Sequence, residues 1–225
     1  MKYIIVMVIA FISAIVSYTT LDKKIANKLK IYHILKSQEE DNYCSTTQIY
    51  ILLMVIFLLN LLASMMILKN VDNNINIIKM LITLICITGA ATNDYREKRI
   101  PNIFPISLAI IGIVCLIIGC ISKQQGATSY LISSLFATIM VAICMTIDYI
   151  LTKQGIGLGD IKLLCALALI GGVYTVGGTI FFGMIICTLI SIGLLITKRK
   201  TMKDGIPFGP FIYLGYLITI YTSMY

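Results

Sequence analysis

Charge is scarce in this 225-residue chain: Asp, Glu, Lys and Arg make up 12% of it, against 59% hydrophobic residues and a mean hydropathy of +0.95. A soluble globular domain carries about twice that share of charge, so composition excludes one. Histidine is nearly absent. His33 stands alone in a polar stretch, which reads as a solvated loop residue and not as a metal ligand. Seven cysteines are present (Cys44, Cys86, Cys115, Cys120, Cys144, Cys165 and Cys187), but no C-x-x-C pair. Neither a disulfide framework nor a zinc knuckle is therefore indicated. All but Cys44 fall in apolar stretches, where a thiol packs as a small hydrophobe. Internal repeats and low-complexity segments are also missing.

What is present is a series of apolar runs, several of which reach the ~18–20 residues a helix needs to cross a bilayer. They cover residues 3–18, 49–68, 75–92, 103–121, 129–151, 161–176, 178–196 and 205–222. The sequence predicts an all-α polytopic membrane protein of about eight transmembrane helices joined by short loops, forming one domain over 1–225. Lys2 before the first run also fits a signal peptide, but seven further runs favour a retained first span. The run 161–176 is short for a full crossing at 1.5 Å per residue. Glycines 171–172 and 177–178 mark the turn after it.

The formal net charge of +8 does not point to nucleic acid, because the bases sit in short links between apolar runs. With the amino terminus outside and eight alternating spans, fourteen of the eighteen bases fall on the inside. Lys2, Lys69, Lys79 and Lys123 fall outside. The positive-inside rule favours this orientation, which puts Asp94 and Asp160 on the same, cytoplasmic, face.

Those two acids carry the candidate chemistry. Asp160 closes the stretch Gly155-Ile156-Gly157-Leu158-Gly159-Asp160-Ile161-Lys162, whose glycines permit tight backbone turns and close approach. Asp94 precedes Ile100-Pro101-Asn102, and Pro101 forces the third helix to stop before it. An ionisable group at a membrane edge is a functional hypothesis by default. Two carboxylates brought together share a proton. The ionised one can take a proton from an attacking water while the protonated one polarises a peptide carbonyl. Counting the dipoles of the helices that carry them, Asp160 lies at a helix start, which favours the anion, and Asp94 at a helix end, which does not. The expectation is Asp160 as base and Asp94 as proton carrier. Asp148, near the end of the fifth run, reads as an interface carboxylate or as a third acid of the site. Lys162 either pairs with the site or anchors its helix at the headgroups. Glu97 and Asp204 read as surface charges.

Asp94 with Ile100-Pro101-Asn102, then Gly157-Leu158-Gly159-Asp160-Ile161-Lys162, then Pro207-Phe208-Gly209-Pro210-Phe211, resembles the type IV prepilin peptidases, membrane aspartic peptidases with a GxGD motif. The likeness covers about residues 75–220, and 75–222 would hold the catalytic core helices. It implies Asp94 and Asp160 as the catalytic pair. Gly157, Gly159, Lys162, Pro101, Asn102, Pro207 and Gly209 would support them. It also implies a prepilin or pseudopilin substrate, with a basic leader and a long apolar helix, cut at the cytoplasmic face of the bacterial plasma membrane. Many bacterial members bind zinc through two C-x-x-C pairs in the first cytoplasmic loop. Here that loop, 19–48, has only Cys44, so no zinc is expected. Methyl transfer from S-adenosylmethionine, which such members add, is left open. The peptidase itself requires no cofactor.

Two rival readings use the same residues. A small proton- or cation-coupled transporter would employ Asp94, Asp148 and Asp160 as a relay, but its site belongs near the midplane of the spans. Presenilin-like GxGD peptidases carry a tyrosine-aspartate pair and a Pro-Ala-Leu motif. Here Asn93 precedes Asp94 and Pro-Ala-Leu is missing.

Overall fold

The computed structural model describes residues 8, 11–18, 46–71, 74–121, 127–152, 157–198 and 205–223. The loop 19–45 with His33 and Cys44, most of the run before residue 11, Gly155 and the basic link 199–204 lie outside the described residues. Among the described residues every regular element is a helix. These are α1 (11–18), α2 (Thr46–Asn70), α3 (Asn74–Glu97), α4 (Ile103–Ile121), α5 (Ala127–Leu151), α6 (Leu158–Ile196) and α7 (Gly209–Ser223). Five of them, α2 to α6, are long and apolar enough to span a bilayer. This is a helical membrane protein.

The expected runs map onto these helices, with two changes. The third helix continues past residue 92 to Glu97, so Asp94 lies within its last turn. Lys98 then takes a left-handed backbone (φ 50°), which ends the helix before Ile100-Pro101. The second change concerns α6. A straight helix of 39 residues would be about 58 Å long, nearly twice the ~30 Å hydrocarbon core. Gly172 breaks it, with φ 70° and ψ −172°, a conformation essentially reserved for glycine.

The contacts of α7 show that the chain reverses at Gly172. α7 starts at Gly209 beside Asp94 and ends near Thr219 and Ile220, which share a small cavity with Ile170, Gly171 and Thr175. Descending from that end, Gly178 packs on Thr219 and Gly183 on the Phe211 carbonyl. So arm 158–171 runs away from the acids and arm 173–196 returns toward them. The turn falls at Gly172 alone. Gly177 and Gly178 belong to the returning arm.

Arm 158–171 is only 14 residues long by these bounds, about 21 Å. It survives at that length because protein surrounds it: Leu163, Leu164, Leu167 and Ala168 are fully buried. α6 packs on α4, α5 and α7, while α3 packs on α4 and α7. α3 and α6 do not pack on each other as a helix pair. A second internal fixture is polar. Asn60, 1% exposed, donates to Ser13 Oγ (3.0 Å) and accepts from Tyr213 OH (2.9 Å) and Thr88 Oγ1 (3.3 Å). Buried amides and hydroxyls of this kind hold helices together in an apolar medium, and here they join α1, α2, α3 and α7.

Gly172→Ala must force a Cβ into a positive-φ residue and within 3.1 Å of Ser133 Oγ, at a cost of about 1–3 kcal/mol. Gly177→Ala meets nothing within 4 Å and removes a glycine from a helix, a gain of about 0.5–1 kcal/mol. Thermal unfolding in detergent should therefore fall for the first and hold or rise for the second. Equal behaviour would mean that the reversal does not depend on Gly172.

Candidate active site

Three helix ends meet at one end of the bundle: the last turn of α3, the first turn of α6 and the first turn of α7. The α3–α4 connection, residues 98–102, passes between them. The last turn of α3, this connection and the first turn of α6, with Tyr149 of α5, wall a cavity of about 570 Å³, which Asp94 and Asp160 both line. Each acid is largely withdrawn from the surface, at 5% and 7% exposure. The two carboxylates interact electrostatically.

Asp94 is held by a segment 115 residues away. The backbone N–H of Gly209 donates to its Oδ2 at 2.7 Å, and the Phe208 backbone is a second partner. Gly209 opens α7, so the carboxylate sits on a helix N-terminus, where free N–H groups and the dipole favour an anion. The residue must be glycine here. A Cβ at 209 would lie 2.8 Å from Asp94 Cβ and 3.0 Å from its Oδ2.

Asp160 meets its own helix start. Gly157 is the N-cap, and its carbonyl accepts the Asp160 N–H at 3.0 Å. The Asp160 side chain, three positions later, turns back to the Gly157 backbone, which is half of a capping box. A Cβ at 157 would come within 3.0 Å of Asp160 Oδ2. Gly159 has a different job: its missing Cβ leaves space for Ile100, whose own Cβ would be 3.0 Å away. The G-x-G-D spacing thus has a physical reading, one glycine for the carboxylate and one for the incoming loop. Asp160 Oδ1, by contrast, is buried with no hydrogen-bond partner among the described residues.

The other residues singled out in the sequence divide. Pro101 and Asn102 line the cavity, as does Lys162, whose Nζ donates to Asn102 Oδ1 at 3.2 Å and ties the start of α6 to the α3–α4 connection. Pro207 precedes α7 and leads into Phe208 and Gly209. Asp148 is not on the cavity wall; its neighbour Tyr149 is. Ile100 and Phe208 stand in the motifs read from the sequence without a role of their own there, and Tyr149 is not singled out at all. Ile100 could have been suspected from its place before Pro101, whereas nothing local marked Tyr149.

Adding a methyl at either glycine displaces a carboxylate, and a shift of about 1 Å at a reacting group costs on the order of 100-fold in rate. If the resemblance to the prepilin peptidases holds, Gly209→Ala and Gly157→Ala should each lower cleavage of a leader-junction peptide by roughly that factor, and Gly159→Val should do so through Ile100. Normal rates in all three would mean that the glycines only connect helices.

Comparison with protein families matches the type IV leader peptidase family over residues 80–192, a stretch that contains both Asp94 and Asp160 and stops short of Gly209. No match is found among curated proteins or solved structures. The match takes in half of the sequence, and with it the chain belongs to the type IV leader peptidase family.

Proposed function

We propose that the protein is a membrane-embedded aspartic endopeptidase that removes the basic leader of type IV prepilins or pseudopilins, with Asp94 and Asp160 as its catalytic pair. The observation that carries this reading is the meeting of two buried carboxylates from separate helices on one cavity. Family membership supports a protease acting on prepilin-type leaders.

The hydrogen bonds favour a division of labour opposite to the one the sequence suggests. Asp94 has two backbone partners and the α7 N-terminus, all of which stabilise negative charge. A buried carboxylate oxygen without a partner is costly when charged, and Asp160 Oδ1 is such an atom. In the proposed mechanism Asp94 is the carboxylate and Asp160 the acid. Asp94 takes a proton from water as the water oxygen attacks the scissile carbonyl carbon. Asp160 gives its proton to the developing oxyanion. Collapse of the tetrahedral species breaks the C–N bond, Asp94 returns its proton to the leaving amine, and Asp160 recovers its own from the new carboxyl. The chemistry as proposed calls on no metal and no S-adenosylmethionine.

We place the site at the cytoplasmic face of the plasma membrane because that orientation keeps fourteen of the eighteen bases inside, within an eight-span layout. The substrate's apolar helix would lie alongside the bundle in the bilayer, with its leader junction at the cavity.

Asp94→Ala and Asp160→Ala should each reduce cleavage by on the order of 10³-fold or more without loss of membrane insertion. The conservative amides separate the roles. Asparagine cannot act as a base, but its amide can still donate to a carbonyl oxygen, so Asp160→Asn should retain about tenfold more activity than Asp94→Asn. The assay is cleavage of a prepilin leader-junction peptide by detergent-purified protein with no ion gradient. The reverse order would exchange the two roles. Absence of cleavage by the unaltered protein, with transport in vesicles, would favour the transporter.

A further inference from the structure

The two helices that carry the acids do not pack on one another as a pair; α4 and α7 lie against both. At the end remote from the site, Tyr216, Thr219 and Ile220 of α7 line the gap between them, and a polar link from α5 crosses it as well. Lys79 lies on α3, 15 residues before Asp94, and Ile170 lies ten residues after Asp160 on the outgoing arm of α6. Between them stands Tyr130 of α5. Lys79 Nζ donates to the Tyr130 hydroxyl at 2.9 Å and sits 4.3 Å from the centre of its ring. The Tyr130 hydroxyl in turn donates to the Ile170 carbonyl. One turn further along α5, Ser133 Oγ accepts the Val173 N–H at 3.3 Å, just past the reversal at Gly172. A cavity of about 40 Å³ separates α3 from the arm at this level, with Lys79 and Thr83 on one side and Leu167 and Ile170 on the other.

We propose that Lys79 and Tyr130 are positioning residues for the carboxylate pair: a polar strap that ties the two acid-bearing helices together at the end of the bundle away from the site. The mechanics follow from helix stiffness. The arm of α6 is hinged at Gly172, and its free end carries Asp160 about 18 Å from that hinge. Without the strap, a tilt too small to disturb the core changes the Asp94–Asp160 separation. Binding of substrate at the cavity involves neither Lys79 nor Tyr130, so the strap acts on turnover and not on affinity. The Ile170 carbonyl gains a second benefit. Gly172 interrupts the helix, so the carbonyls before it lose their helical donors, and the Tyr130 hydroxyl replaces one of them.

This inference rests on the peptidase reading for its kinetic readout and on geometry alone for its structural one, so both are measured. Tyr130→Phe and Lys79→Met are compared with the unaltered protein and with Lys79→Arg, which keeps a cationic donor. Cleavage of a leader-junction peptide gives kcat and KM. Spin labels at Tyr95 and Leu158, each 55% exposed and flanking the two acids, give their separation in a background with the native cysteines replaced. The expected result is a kcat lowered about tenfold or more in Tyr130→Phe and Lys79→Met, with KM little changed, a longer or broader label distance, and recovery of both readouts in Lys79→Arg. Unchanged kcat and distance in Tyr130→Phe and Lys79→Met overturn the strap. A loss that appears equally in KM, or that Lys79→Arg fails to recover, also overturns it. Should Tyr130→Phe fail to insert, Lys79→Met probes the same link. If the unaltered protein cleaves nothing, the peptidase reading falls, and the label distance still decides for or against the strap.

Discussion

A carboxylate placed inside an apolar bundle needs donors, and in this protein the backbone supplies them. The contact from the Gly209 N–H to Asp94 at 2.7 Å is the clearest case. It exists only because α7 begins at that point, because its first residue has no Cβ, and because α3 runs one turn beyond the acid before Lys98 ends it. Asp160 is supported by the same device turned inward, with Gly157 as the N-cap of its own helix. Two helix N-termini are therefore aimed at the two acids that line one cavity, and each is opened by a glycine. A positive electrostatic environment built from peptide groups needs no buried lysine.

This arrangement explains which parts of the molecule were legible in the sequence. The apolar runs gave the helices well, since hydrophobic length is a local property; residues 103–121 coincide with α4 as found. The motifs around Asp94 and Asp160 were legible because each depends on neighbours a few positions away. The contact on which the proposed division of roles rests was not. Counting dipoles from the helices that carry the acids omits α7, which reaches Asp94 from 115 residues downstream. No periodicity encodes that approach. The same limit hid Asn60, an amide that stands within an apolar run and whose own side chain is almost fully buried. It also hid Lys79, which reads as an external charge and proves to be bonded to Tyr130. Gly172 was marked as one of four candidate glycines for the turn. Only its φ of 70° separates it from the rest.

The polar residues that were missed have a common position. Asn60 and its partners join α1, α2, α3 and α7, and Lys79 with Tyr130 joins α3, α5 and α6. In water such groups would add little, because solvent competes for every donor. In a bilayer the hydrophobic effect no longer drives helices together, and packing with a few hydrogen bonds must specify their arrangement. The close approaches at Gly178 and Gly183 are the packing half of that specification. Both halves converge on α7, the shortest of the well-packed helices, which touches α2, α3 and α6.

The reversal at Gly172 then acquires a reason beyond economy of length. An acid delivered by a full-length span would lie at the mouth of its helix, where water and headgroups hydrate it. An arm that turns back after 158–171 presents its first turn at the cavity, with Leu158 exposed and Asp160 withdrawn at 7% exposure beside the α3–α4 connection. The cost is a short helix with its far end interrupted, and the fold meets that cost by placing side chains of α5 on both sides of the break, Tyr130 on the Ile170 carbonyl and Ser133 on the Val173 N–H. Burial of the acid, the glycine hinge and the polar contacts of α5 thus belong together: each bears on a short arm that keeps Asp160 withdrawn while it lines the cavity.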